Sequence, residues 1–139
     1  MAEPEKMNVS LAVFEAGNNV VVLQRRRHDA RWYPGRIGLF GGHAQGNETP
    51  AEALLRELDE ELCIEPADLA LRSLITMTFE PVGEYPARVE AAYFASPFPK
   101  NHEVRDGSVV YATPEVALQM PELMLTAEAG LEYYLRRRG

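Results

Sequence analysis

Short apolar runs, each bounded by glycine, proline or asparagine, recur along this chain and predict a sheet of short strands with helices between them. Asn8 to Phe14 is the first run and Val20 to Leu23, fully apolar, the second; the Gly17-Asn18 pair between them predicts a hairpin. Gln24 to Arg31 interrupts the pattern with Arg25, Arg26, Arg27, His28 and Arg31, and Trp32 to Gly35 reads as a loop ending in a turn. Ile37 to Phe40 predicts a short strand running into Gly41-Gly42. Leu69 to Phe79 and Arg88 to Ser96 predict two longer strands joined through Glu84-Tyr85-Pro86, followed by a loop from Pro97 to Gly107 and a short strand from Ser108 to Ala112. Thr113-Pro114 suits a helix start running to Gln119, Pro121 breaks it, and Thr126 to Arg138 predicts a C-terminal helix.

One segment combines apolar periodicity with a second, charged face. Thr49 fits an N-cap, Pro50 the first helical position, and Glu52 completes a capping box; Pro66 reads as the end of the element. Ala51, Leu54, Leu55, Leu58 and Leu62 form the apolar stripe. Glu57, Glu60 and Glu61 stand at i, i+3 and i+4 and so share a face. At about 100° per residue they centre roughly 110–120° from the stripe. Such a helix buries its leucines against a sheet and turns its carboxylates to a cleft. Carboxylates this crowded repel one another unless a cation sits between them, and hard oxygen ligands at that density suit Mg²⁺ or Mn²⁺. An acidic helix face taken alone is most often a solvated face; the residues around it change that weighting.

The chain has 139 residues, which suits a single domain spanning 1–139, and its net charge of −7 argues against a nucleic-acid polymer as partner. A small anionic substrate held through metal ions is compatible with that charge. Cys63 is the one cysteine, so no internal disulfide forms and a reducing compartment is expected. The polar start, Met1 to Met7, lacks the apolar core of a signal peptide, and no apolar run approaches the roughly 20 residues of a membrane span. The expectation is a cytoplasmic protein without a membrane partner.

Gly42, five residues, Glu48, seven residues, Arg56-Glu57-Leu58, one residue, Glu60-Glu61, one residue, then Cys63-Ile64 resembles the signature of the Nudix hydrolases. Every defining position matches except one, where the family has glycine and this chain has Cys63. The resemblance implies an α/β fold, an α/β/α sandwich with a mixed sheet and the signature as a loop–helix–loop. It implies hydrolysis of a diphosphate linkage in a nucleoside diphosphate derivative or nucleoside triphosphate, by water attack on phosphorus, with Mg²⁺ or Mn²⁺. Carried over by position, Glu57, Glu60 and Glu61 bind metal, Glu48 supports or shares the coordination, and Arg56 orients a glutamate. Gly41 and Gly42 let backbone approach the metal and phosphates. The chemistry agrees, because the negative oxygens of a diphosphate repel an attacking water until divalent cations neutralise them. Arg25, Arg26 and Arg36 offer planar donor forks for phosphate, against the plainer reading that most of the cluster is solvated at a strand end.

The general base of this family varies in position. Glu103, in Asn101-His102-Glu103, lies at a distance before the strand at Ser108 that resembles the distal glutamate of members that cleanse oxidised nucleotides; Glu84 and Glu90 are rivals. His28, His43 and His102 have no metal-ligand spacing. Cys63 in place of glycine costs about 1 kcal/mol if the left-handed turn after the helix is kept. A non-catalytic nucleotide-sensing module on the same fold is the alternative, disfavoured by the intact glutamates. An isoprenyl-diphosphate isomerase is a third, which needs a further catalytic cysteine. The C-terminal region lacks an evident asparagine where oxidised-guanine members use one. Dimerisation is common in the family, and a homodimer is an expectation that no stripe of this sequence locates.

Overall fold

The strand at the centre of the sheet, β1 (Lys6–Glu15), is apolar on consecutive residues because both of its faces are covered. Ala12 and Phe14 point into one core, with Leu54, Leu58 and Leu62; Leu11 and Val13 point into the other, with Leu123, Ala127 and Leu131. The computed structural model describes residues 6–81 and 87–138, and the fold is α/β, a mixed sheet with helices on both faces. The Glu84-Tyr85-Pro86 connection lies outside the described residues.

β1 pairs in parallel with β6 (Arg88–Pro97), whose other edge carries β5 (Arg72–Phe79) antiparallel. On its opposite side β1 meets β2 (Val21–Arg25) only near the hairpin, at Phe14 and Glu15. Asn18 and Asn19 take the positive φ values of that turn, which asparagine tolerates. Farther along, β1 and β2 splay, and the next segment fills the gap. β3 (Ile37–Gly38) pairs antiparallel with β2, and β4 (Phe40–His43) pairs antiparallel with β1. The chain thus leaves β2 and joins β1 at Leu39. The single strand expected from Ile37 to Phe40 is therefore two: one apolar run serves two partners. β7 (Ser108–Ala112) lines the outer edge of β2.

The helix α1 (Pro50–Leu62) covers one face, packing on β4 and β1. Its capping box is formed as expected, with Thr49 accepting from the Glu52 N–H and the Glu52 carboxylate accepting from the Thr49 N–H. Cys63, not Pro66, ends it: Cys63 adopts φ 53 and ψ 46 and donates its N–H to Asp59, and Pro66 opens a separate 3-10 turn to Asp68. The stripe also differs from expectation. Ala53 is buried where Ala51 and Leu55 are only partly covered, because β4 and the loop after it overlie the glutamate side of the helix as well. The short α2 (Pro114–Ala117) and α3 (Leu125–Arg138) cover the opposite face. Among the described residues no helix is long and apolar enough to cross a membrane.

Candidate active site

Arg56 lies at the middle of the acidic face of α1, and all five of its N–H groups have acceptors. Nε and one terminal nitrogen fork onto Glu48 at 2.7 and 3.0 Å, and that same terminal nitrogen reaches the His43 carbonyl at 2.7 Å. The other terminal nitrogen bonds Glu57 at 3.1 Å and Glu60 at 3.3 Å. The expectation of one oriented glutamate is thus extended to three. The Arg56 guanidinium holds Glu48 below the usual carboxylate range, and the Glu48 bond, with those to Glu57 and Glu60, raises Arg56 above its ordinary value. Glu48 is brought within reach by its own turn, where the Gln45 N–H donates to its carboxylate at 2.7 Å.

Glu61 is different. It is 7% exposed, and no cation stands beside it among the described residues. Its Oε1 accepts from the Gly41 N–H at 2.9 Å and its Oε2 from the Gln24 amide at 3.3 Å. Burial, with the neighbouring Glu57 charge adding to it, pushes Glu61 up to about 8. Burial also raises Glu57. Two glycines make this approach possible. A side chain on Gly41, at φ 135, would meet the Ser10 carbonyl oxygen of β1 at 1.9 Å. One on Gly42 would meet the Glu57 carboxylate at 2.5–2.7 Å. Glu57 and Glu61 are therefore folded in against β4, while Glu60, its side chain 57% exposed, faces solvent beside them. As the side chains stand, no three His, Cys, Asp or Glu among the described residues are gathered into an ion-holding group, since Arg56 draws three of the carboxylates to itself.

The NUDIX domain profile matches residues 4–130, nearly the whole chain. The chain belongs to the NUDIX domain family. It is 33% identical over 81 residues to an 8-oxo-dGTP diphosphatase of Proteus vulgaris, covering 57% of this chain and 70% of that protein. It is 31% identical over 67 residues to the 8-oxo-dGTP diphosphatase of Escherichia coli K12, covering 48% of this chain and 51% of the relative, about half the length of that protein. The crystal structure of the MutT protein from Methanosarcina mazei Go1 superposes with a TM-score of 0.78 at 20% identity, over 99% of this chain and 98% of that one, a likeness of fold.

The remaining residues expected at a NUDIX site fall in several places. Strand alternation turns Gln24, with Val22, toward α1, and turns Arg25, with Leu23, to the other face. Arg25 accordingly binds the Gly35 carbonyl at 3.1 Å and Glu122 at 3.3 Å, and Arg36 donates to the carbonyls of Glu122 and Leu123. Both arginines, expected at phosphate, tie the segment before α3 to the sheet. Arg26 donates to the Trp32 carbonyl and lines a cavity of about 280 Å³ with Arg27, Asp29, Arg31, Gln24 and Asp106. Glu103 is exposed, and its N–H donates to the Leu62 carbonyl at the end of α1, so its loop is docked on the signature helix. Of its rivals, Glu90 pairs with Lys6 at 2.7 Å, and Glu84 lies outside the described residues. Sequence reasoning missed Gln24; the alternation of Val22 and Gln24 on one face of β2 was the available signal.

Proposed function

We propose that this chain hydrolyses a diphosphate linkage in a nucleoside diphosphate derivative or nucleoside triphosphate, by attack of water on phosphorus, using Mg²⁺ or Mn²⁺. The observation that carries the reading is Glu61, a buried carboxyl with no cation beside it among the described residues, set against a second carboxyl, Glu57. Burying a carboxylate without a counter-charge, beside a second carboxylate whose one cation is shared with two others, is costly. A hard divalent cation relieves that cost, and the oxygens of Glu57, Glu60 and Glu61, with Glu48 nearby, are the donors it takes. When bound, such a cation neutralises phosphate oxygens, acidifies water and steadies the leaving phosphate.

The chain's own groups do the rest. The Gly41 N–H holds one oxygen of Glu61 in place, and Arg56 spreads a single positive charge across Glu48, Glu57 and Glu60. Glu103, on the loop docked to α1, takes the proton from the attacking water in this reading. Arg26 and Arg31, in the adjoining cavity, supply donors for phosphate oxygens. The relatives named as 8-oxo-dGTP diphosphatases make oxidised purine nucleoside triphosphates the first substrates to try, with a nucleoside monophosphate and inorganic diphosphate as products.

The test is a screen of nucleoside triphosphates, oxidised nucleotides, nucleotide sugars and dinucleotides with Mg²⁺ or Mn²⁺, run beside Glu60→Gln and Glu61→Gln. The expected outcome is diphosphate cleavage that falls about a hundredfold or more in both variants, the scale of losing one group that stabilises developing charge. Circular dichroism should show both variants folded. Near-wild-type turnover in both overturns the assignment.

A further inference from the structure

Gln24 is 3% exposed at the end of β2, and its amide nitrogen joins two parts of the molecule that are distant in sequence. One hydrogen goes to Glu61 Oε2 at 3.3 Å and the other to the Asp106 carbonyl at 3.0 Å. Glu61 then has a donor on each carboxylate oxygen, from Gly41 on one side and Gln24 on the other. The Asp106 bond acts on the loop that carries Glu103. That loop already lies along the end of α1, with the Glu103 N–H on the Leu62 carbonyl and the Arg105 N–H on the Glu61 carbonyl, each at 2.8 Å. Gln24 ties it to the sheet as well.

Two acceptors, a carboxylate and a carbonyl, face one nitrogen, so only a side chain with two hydrogens at that point satisfies both. A glutamate or an apolar side chain of the same length satisfies neither. We propose that Gln24 is a positioning residue of the hydrolase: its amide holds the Glu61 carboxylate and the Glu103-bearing loop in one register. The inference rests on the hydrolase reading given above and extends it to a residue outside the signature. A buried glutamine that merely satisfied strand and loop would affect stability and nothing else. A positioning residue also alters how Glu61 meets a cation and how fast the bond breaks.

The experiment compares the full chain with Gln24→Met, which keeps the length and removes both donors. Mn²⁺ is titrated without substrate and the free ion is read by electron paramagnetic resonance; kcat and KM are measured on whichever diphosphate substrate the screen finds. The variant is expected to bind Mn²⁺ about tenfold more weakly and to lose roughly 10–100-fold in kcat, the scale for partners that orient a ligand. At saturating Mn²⁺, KM should stay within about twofold, since the arginines assigned to the phosphate oxygens are retained. Should Gln24→Met fail to fold, Gln24→Asn, too short to span both acceptors, is expected to behave the same way. Wild-type Mn²⁺ affinity and kcat in a folded variant overturn this inference alone. A wild-type chain that binds no Mn²⁺ overturns it together with the metal reading. A wild-type chain that binds Mn²⁺ but cleaves no diphosphate overturns the hydrolase reading, and the affinity comparison still decides the role of Gln24.

Discussion

Cys63 occupies a backbone position built for glycine. Its φ of 53 and ψ of 46 lie in the left-handed region, and its N–H closes the helix on Asp59. Keeping this turn preserves the path of the chain past Glu60 and Glu61, so the departure from the family signature falls on stability and leaves the carboxylates where they are. The Arg105 guanidinium donates to the Cys63 sulfur at 3.0 Å. Cys63→Gly is therefore expected to stabilise the protein by about 0.5–1 kcal/mol, as relief of the left-handed strain exceeds the added chain entropy of glycine. Urea denaturation of the two proteins measures this directly, and an unchanged or lower midpoint would show that the strain is absorbed elsewhere.

At the scale of elements, α1 and the consecutive strands β3 and β4 act together to create the site. The capping box at Thr49 and Glu52 sets where α1 begins, and that start fixes which turn of the helix presents Glu57, Glu60 and Glu61. Thr49→Ala removes the hydroxyl that accepts from the Glu52 N–H and should cost about 1 kcal/mol of stability by thermal or urea unfolding. Its kcat should change little, because Arg56 continues to anchor Glu48, Glu57 and Glu60. The change of partner at Leu39 was not visible in the sequence. Ile37 to Phe40 is a continuous apolar run, and nothing local distinguishes one strand from two short strands serving partners that have splayed apart. The helix itself was readable from its own residues, since caps and apolar periodicity are local properties.

Across the whole molecule, the C-terminal helix is tied to the central strand through Glu15, which accepts from the Tyr134 hydroxyl at 2.6 Å and from Arg72 at 3.0 and 3.1 Å. The Arg72 bond, against the opposing cost of burial and with help from Tyr134, lowers Glu15 below its ordinary value of 4.5. Burial, and then the bond to Glu15, push Tyr134 up to about 12 from 10.0. The signs follow from which form the fold prefers. The Glu15 contribution is complete above the unfolded carboxyl value and fades as pH falls through the lowered folded one. That of Tyr134 is complete below 10.0 and fades as pH rises through about 12. Glu15→Gln should thus cost about 1 kcal/mol at neutral pH, discounted because Arg72 is half exposed. The gap between variant and wild type should narrow in acid, and urea unfolding across a pH series would reveal a constant gap if the contact has no electrostatic part.

The sequence by itself determined the family, the capped helix and the identity of its carboxylates, because signature spacing, capping and periodicity are written in neighbouring residues. It left open whether Cys63 keeps the glycine-like turn, as the structure shows that it does. Only the tertiary structure decided what those carboxylates face. Arg56 gathers three of them, Glu61 is buried between the Gly41 N–H and Gln24, and Arg25 and Arg36 are drawn to the segment before α3. These outcomes depend on strand alternation, on the splaying of β1 from β2 and on a loop docked from far along the chain. Each sets which distant groups meet, and so which charges are neutralised, through contacts between residues many positions apart.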